Sequence, residues 1–323
     1  MTDLADLRVL LHHEYGLDQA TLSPLHPVAQ AGRGLYRVDL RGRGIWGERA
    51  YPQERNALPQ LANSAAVLHS LAQVNFPAPR VQRTVDDEFV GYHQGWSALL
   101  VTYIPGEPAT GTIEEYRTLG TLIAQLHCLD LPTSPSGQTE LPPCRWQPMQ
   151  KVREWLSTLE HVQSQLPQEL HGLYVFSVDI LSQVLQWPTL PIALLHADPN
   201  HFNAIRTAAQ ELTLIDWDLA GYGPPILDLG YLLLTAHATL PAWPAVDANH
   251  VLIEAIMAGY WKVRPLTSEE GRGLPIATCF NDAVWVAQAL PQVVGRNWRE
   301  NRTLSRFGAR YPALARIGQL AQQ

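Results

Sequence analysis

Residues 192–218 read IALLHADPNHFNAIRTAAQELTLIDWD, and this stretch decides the fold. An apolar run brings His196 and Asp198 to the start of a polar loop, and Asn203 follows Asp198 after four intervening residues. A second apolar run ends at Asp216. The stretch therefore contains the pattern H-x-D-x-x-x-x-N, followed by an Asp at the end of a predicted strand.

These residue types suit the transfer of a phosphoryl group. Such a transfer needs one carboxylate that orients a hydroxyl nucleophile and oxygen ligands that hold Mg²⁺ against the phosphates. Asp198, Asn203 and Asp216 provide this set. The same stretch leaves a second reading open, in which His196, Asp198 and His201 hold zinc.

Protein kinases use the related sequences H-R-D-x-x-x-x-N and D-F-G. Here Ala197 replaces the Arg and the second motif reads Ile-Asp-Trp-Asp, so the chain resembles the aminoglycoside phosphotransferase and choline kinase family of kinase-like enzymes. The resemblance implies a two-lobed α+β fold. Residues 1–105 would form a nucleotide-binding lobe around a mainly antiparallel sheet, and residues 106–323 a mainly helical lobe for catalysis and substrate binding.

The resemblance also implies an activity, an ATP-dependent or GTP-dependent phosphotransferase that acts on a hydroxyl group of a small metabolite or antibiotic. Asp198 would orient the hydroxyl group and accept its proton, and His196 would fix the catalytic loop. Asn203 and Asp216, together with Asp218, would hold Mg²⁺.

The nucleotide would lie against the first lobe. Gly32 and Gly34 open an alternating segment that suits a strand, glycine turn and strand unit, and in a kinase-like lobe this turn covers the nucleotide phosphates. The apolar run from Ala98 would form the last strand of the lobe. The backbone of Val101 and Tyr103 would contact the edge of the base.

The family resemblance implies a strand lysine that holds the phosphates and a helix Glu that pairs with it, and both are replaced here. The chain has two lysines, Lys151 and Lys262, so Arg49 on the predicted third strand is the candidate substitute for the family lysine. A guanidinium can bind phosphate through two hydrogen bonds, but it is not interchangeable with an ammonium group. The helix predicted at residues 56–74 contains no acidic residue, and the family Glu would fall near Ser64.

These departures leave an alternative function open, a non-catalytic nucleotide-binding or ligand-binding kinase homologue with a degenerate ATP site. The phosphate acceptor is also open. Aminoglycoside kinases offer carboxylates to a polycationic substrate, whereas a choline-type site offers aromatic faces to a quaternary ammonium group.

Net charge and cysteine content indicate which kinds of binding partner and which cellular setting to expect. The 323 residues carry a net charge of −7, which argues against nucleic-acid binding driven by phosphate neutralisation. The three cysteines are widely spaced, which favours a reducing, cytoplasmic setting. We expect neither a targeting segment nor a membrane span, and a small hydroxylated molecule as the partner.

Periodicity predicts the remaining elements. Strands are expected at residues 80–84 and 97–103, and helices at residues 3–15, 56–74, 112–129, twice within 149–187, and after Gly221. His127 is interpreted as a hydrogen-bonded packing residue of its helix. Asp228 is interpreted as structural, since the family resemblance implies that an Asp of this kind supports the catalytic loop.

Overall fold

The computed structural model describes residues 4–24, 34–40, 44–52, 57–130, 141, 143–144, 149–187, 190–238, 248–301, 303–304 and 311–322. The chain divides into two compact units. The first comprises residues 1–108, 132–142 and 204–220, and the second comprises residues 109–131, 143–203 and 221–323. The domain boundary between residues 105 and 106 stays a prediction.

A five-stranded antiparallel sheet forms the centre of the first unit. Its strands are β1 (Thr21–Pro24), β2 (Gly34–Leu40), β3 (Gly44–Pro52), β4 (Gly91–His93) and β5 (Trp96–Thr102), in the order β1-β2-β3-β5-β4. The strand predicted at residues 97–103 is thus confirmed as β5, shifted by one residue.

The strand predicted at residues 80–84 is wrong. Within this described segment the structure has an isolated bridge between Val81 and Val101. Residues 80–82 do run along β5, because the N–H of Thr102 donates to the carbonyl oxygen of Arg80 and the N–H of Gln82 donates to that of Leu100. The pairing ends there, since the chain turns at Thr84, whose N–H donates to the carbonyl oxygen of Glu88.

The two faces of this sheet bury two different helices, α1 (Leu4–Tyr15) and α2 (Ala57–Gln73). Successive side chains of a strand point to opposite faces. In β5, Ala98 and Leu100 belong to the core that contains α1, whereas Leu99 packs with α2. Burial on both faces explains why β5 reads as a continuous apolar run. Both helices agree with their predicted positions.

Five short strands surround the motif region. In the first unit, β6 (Glu107–Pro108) pairs with β8 (Ala204–Arg206), which pairs with β9 (Leu212–Leu214). In the second unit, β7 (Ala193–Leu195) pairs with β10 (Gly221–Gly223). Strands of two or three residues carry too few positions to show a period, so β6 and β10 had no signal in the sequence.

Helices make up most of the second unit. They are α3 (Ile113–His127), α4 (Met149–Val162), α5 (His171–Leu185), α6 (Ile226–Ala238), α7 (His250–Trp261), α8 (Ser268–Ala289) and α9 (Tyr311–Leu320). The helices predicted at residues 112–129, within 149–187 and after Gly221 are confirmed. None of the helices that the structure describes is long and apolar enough to cross a bilayer.

Two glycines allow α3 and α7 to pack closely. A Cβ atom added at Gly120 would collide with the carbonyl oxygen of Ile256, and one added at Gly259 would collide with the carbonyl oxygen of Arg117. The helix backbones therefore touch directly at this crossing. Any larger residue would move α7 away from α3.

Replacing Gly259 by Ala should lower the free energy of unfolding by about 1–3 kcal/mol, the usual cost of overpacking. The added methyl group has to displace backbone, since its nearest neighbour is the carbonyl oxygen of Arg117. Gly271→Ala in α8 is the control, because nothing lies within 4 Å of its added Cβ. The control should stabilise the helix by up to about 1 kcal/mol.

Urea unfolding followed by circular dichroism measures both variants. Equal stability of Gly259→Ala and the parent would contradict the close approach of the two helices.

Candidate active site

The predicted catalytic loop connects β7 to β8. β7 is buried at all three positions, so it fixes the start of the loop. Ala197 then adopts a φ angle of +64°, in the left-handed region that costs a residue with a side chain roughly 1–2 kcal/mol. Strain of this kind persists where neighbouring groups hold the backbone in place.

Asp228, on α6, holds this strained turn. Its Oδ2 accepts the N–H of His196 and its Oδ1 accepts the N–H of Ala197, both at 2.8 Å. The residue is 1% exposed, so these charge-assisted hydrogen bonds form away from water. The interpretation of Asp228 as a structural support of the loop agrees with these contacts.

Two asparagine amides orient Asp198, which is half-buried. Asn203 Nδ2 donates to Asp198 Oδ2 and Asn200 Nδ2 donates to Asp198 Oδ1, each at 2.9 Å. Both amides also donate to the carbonyl oxygen of Asp198. The structure therefore brings Asp198 and Asn203 together. Sequence reasoning missed Asn200, although it lies two residues from Asp198.

The two histidines of the loop have local partners. His196 is fully buried, and its Nδ1 accepts the N–H of Asp198 at 3.3 Å. His201 Nδ1 lies 2.8 Å from the phenolic oxygen of Tyr116, and burial lowers the pKa of His201. The described residues contain no group of three His, Cys, Asp or Glu side chains placed to hold a metal ion.

The second motif lies in the first unit. Asp216 adopts a φ angle of +66°, and outliers of this kind concentrate at functional sites. Trp217 anchors the motif, because it is 2% exposed and its Nε1 donates to the carbonyl oxygen of Leu214. Its ring also packs edge-on against Phe76.

Ser64 of α2 contacts this motif directly. Its Oγ lies 3.2 Å from Asp218 Oδ1 and 3.0 Å from the carbonyl oxygen of Gln60, and it donates its one proton to these acceptors. Ser64 is 3% exposed. A Glu at this position, as the family resemblance leads one to expect, would place a second carboxylate beside Asp218. Ser64 instead donates a hydrogen bond to the Asp218 carboxylate.

The predicted nucleotide-binding residues are only partly described. Gly32 lies outside the described residues, as does the side chain of Arg49, whose backbone is part of β3. Gly34 begins β2, and Val101 lies on β5. Tyr103 follows β5 and is half-buried.

The predicted metal ligands come from both units. Asn203 belongs to the second unit, with Asp198, whereas Asp216 and Asp218 belong to the first. The structure thus defines two groups, Asp198 with Asn203 and Asp218 with Ser64. Their assembly into one metal site stays a prediction.

Solved kinase structures share this fold over most of the chain. A microcompartment-associated aminopropanol kinase aligns with a TM-score of 0.70 and 20% identity, over 95% of both chains. Amicoumacin kinase in complex with AMP-PNP, Ca²⁺ and Ami aligns with a TM-score of 0.70 and 16% identity, over 95% of this chain and 92% of the other. The chain therefore has a two-lobed kinase-like fold, with a small antiparallel sheet and a larger helical part.

Sequence comparison identifies the family within this class. Homoserine kinase from Acidiphilium cryptum (strain JF-5) is 25% identical over 215 residues, or 65% of this chain, and the match spans 63% of that kinase. The model of the phosphotransferase enzyme family (APH) matches residues 36–266. The chain therefore belongs to the phosphotransferase enzyme family, and the predicted family resemblance is confirmed.

The contact between Ser64 and Asp218 predicts opposite outcomes for two substitutions on α2. Ser64→Glu should lower the free energy of unfolding at pH 7 by about 2 kcal/mol or more, because it buries a second carboxylate beside the first. The deficit should shrink as the pH falls toward 5, because protonation of the new carboxyl group removes the repulsion. Asn63→Glu adds the same charge at an exposed position and should change stability by about 0.5 kcal/mol at most.

Urea unfolding at pH 7 and pH 5 measures the two variants. A Ser64→Glu protein as stable as the parent at both pH values would mean that the Asp218 carboxylate lies elsewhere.

Proposed function

We propose that this protein transfers the γ-phosphoryl group of ATP to a hydroxyl group of a small molecule. Family membership supports the reaction class. The observation that carries the proposal is the Asp198 carboxylate, which two asparagine amides orient on a loop that Asp228 fixes. A carboxylate held in this way suits the task of aligning a hydroxyl nucleophile.

Asp198 has the chemistry of the proton acceptor in this proposal. Asp198 Oδ1 and Oδ2 each accept an amide hydrogen bond, and a carboxylate oxygen can accept more than one hydrogen bond, so the group suits an acceptor hydroxyl. The hydroxyl proton would pass to Asp198 as the hydroxyl oxygen attacks the γ-phosphorus and the bond to the leaving ADP breaks. His196 and Asp228 act by holding the loop and do not touch the substrate.

The proposed metal ligands, Asn203, Asp216 and Asp218, carry oxygen atoms of the kind that bind a hard divalent cation. Asn203 turns its Nδ2 toward Asp198, so the oxygen of the same amide lies on the opposite side of the group. This oxygen and the carboxylates of Asp216 and Asp218 are ligands that Mg²⁺ prefers. Bound Mg²⁺ would neutralise phosphate charge. Ser64 would orient Asp218 for this purpose through its hydrogen bond.

The nucleotide would use the first unit. In this proposal Gly32 and Gly34 flank the phosphates, Arg49 binds them, and the backbone near Val101 and Tyr103 contacts the base. The altered Arg49 and Ser64 positions also favour one alternative, a nucleotide-binding homologue without turnover. Competition between ATP and GTP for binding would identify the base.

Small amino alcohols are the first acceptors to test. Two of the relatives named above are kinases of homoserine and of aminopropanol, which both carry a hydroxyl group and an amine. A screen of ATP consumption should compare such compounds with choline, ethanolamine and aminoglycosides. Consumption with none of these, despite nucleotide binding, would support the alternative without turnover.

Asp198→Asn should reduce turnover at least about 100-fold, the scale of a lost catalytic base. Nucleotide affinity should stay within about twofold of the parent value, since the substitution leaves the proposed phosphate and metal ligands in place. Asp130→Asn is the matched control, because it removes the same charge from an exposed position after α3. Comparable turnover in Asp198→Asn and the parent would exclude Asp198 as the base.

Asp216→Ala should abolish the Mg²⁺ dependence of nucleotide binding. A ligand that binds only the folded state raises its melting temperature, so ATP with Mg²⁺ should stabilise the parent more than ATP alone. The variant should show the same shift with and without Mg²⁺. Asp86→Ala, an exposed change in the same unit, should retain the difference. A Mg²⁺-linked shift that survives in Asp216→Ala would place the metal on other ligands.

A further inference from the structure

A buried hydrogen-bond chain extends from Asp228 into the helices behind the catalytic loop. His127 Nε2 lies 3.3 Å from Asp228 Oδ2, and His127 Nδ1 lies 2.8 Å from the phenolic oxygen of Tyr260. The side chain of His127 and the whole of Tyr260 are 0% exposed. His127 is thus a hydrogen-bonded residue of the core, in agreement with the interpretation from the sequence, and both of its ring nitrogens are engaged.

Arg264 and Glu270 complete the chain. Arg264 Nη1 donates to the phenolic oxygen of Tyr260 at 3.1 Å, and the guanidinium binds both carboxylate oxygens of Glu270, the shorter contact being 2.7 Å. Glu270 is fully buried and also accepts the N–H of Thr267 in the capping box that begins α8. Glu270 therefore fixes the orientation of the guanidinium, and the hydrogen bond from Thr267 fixes Glu270.

Every hydrogen bond in this series is donated in the same direction, from Arg264 toward Asp228. A guanidinium can only donate, so the oxygen of Tyr260 accepts from Arg264 and its own proton is directed to His127 Nδ1. Burial raises the pKa of Tyr260, which keeps that proton in place, and burial lowers the pKa of His127, which keeps the imidazole neutral. A neutral imidazole that accepts at Nδ1 carries its proton on Nε2, and this proton is donated to Asp228.

We propose that Tyr260 is a positioning residue for the phosphotransfer reaction. By donating to His127 it fixes the imidazole as the donor to Asp228, and Asp228 in turn holds the amides of His196 and Ala197. The kinetic part of this proposal rests on the proposed function, whereas the structural part does not.

The strain at Ala197 explains why the support matters. The left-handed conformation of Ala197 is strained, and the hydrogen bond from its N–H to Asp228 helps to hold it. Removal of the Tyr260 hydroxyl leaves a buried acceptor at His127 Nδ1 without its donor. The imidazole then relaxes, and Asp228 Oδ2, which also accepts the N–H of His196, loses the hydrogen bond from His127.

Hydrogen exchange tests the structural part without any substrate. In Tyr260→Phe the amides of His196 and Ala197 should exchange about fivefold faster than in the parent, the effect of losing one hydrogen bond. Tyr15→Phe is the matched control, since it removes a buried hydroxyl that donates to the carbonyl oxygen of Ala98 and accepts the N–H of Gly91 in the first unit. The control should lower the melting temperature while it leaves exchange at His196 and Ala197 unchanged.

Equal exchange in Tyr260→Phe and the parent would overturn the proposal. Equal acceleration in both variants would overturn it too, because it would show a general loss of stability in place of a specific support.

The tautomer of His127 provides a second measurement on the unmodified protein. Nitrogen-15 shifts of the full-length chain, labelled at histidine, should show His127 protonated on Nε2 and unprotonated on Nδ1. A proton on Nδ1 of His127 would reverse the direction of the hydrogen bonds with Tyr260 and Asp228 and would overturn the proposal.

The kinetic part is tested once an acceptor is known. Tyr260→Phe should lower kcat about fivefold to tenfold while the KM values for nucleotide and acceptor stay within about twofold, because the loop moves the base and not the binding groups. Tyr15→Phe should leave kcat unchanged. Unchanged kcat in Tyr260→Phe would overturn the positioning role. Absence of turnover in the parent would count against the proposed function alone, because the exchange and tautomer outcomes do not depend on turnover.

Discussion

The hydrogen bonds from two consecutive amides of the catalytic loop to the buried carboxylate of Asp228 are the contacts on which the site depends. They hold Ala197 in a left-handed conformation and so direct the chain toward Asp198. A buried carboxylate is expensive unless several donors satisfy it. Here the loop provides two donors and His127 provides a third. The loop therefore needs the Asp228 carboxylate to hold its conformation, and the buried carboxylate needs the loop amides as hydrogen-bond donors.

One helix supports both ends of this loop. Tyr116 and His127 are eleven residues apart on α3, which is about three helical turns, so they lie on the same face. Tyr116 contacts His201 near the end of the loop, and His127 contacts Asp228 at its start. The close packing of α7 against α3 brings Tyr260 within reach of His127. Gly120 and Gly259 thus allow the close helix packing that places Tyr260 beside His127.

The family resemblance leads one to expect a lysine at Arg49 and an acidic residue near Ser64, and the structure describes the surroundings of Ser64. Ser64 stands where the family resemblance places an acidic residue, and its hydroxyl group donates to Asp218. A second carboxylate at this buried position would repel the first. The serine at this position is therefore matched by a local contact. Arg49 takes part in β3 through its backbone, which leaves its proposed role with phosphate to experiment.

The sequence by itself determined the features that depend on neighbours in the chain. Asp198 and Asn203 meet because only four residues of one loop separate them, and the long helices follow from apolar periodicity. The tertiary structure alone decided the contacts between distant residues. His127 and Tyr260 are separated by 133 residues, and Ser64 and Asp218 by 154. No local pattern encodes such pairs, because each requires the packing of whole helices to bring one donor and one acceptor to hydrogen-bonding distance.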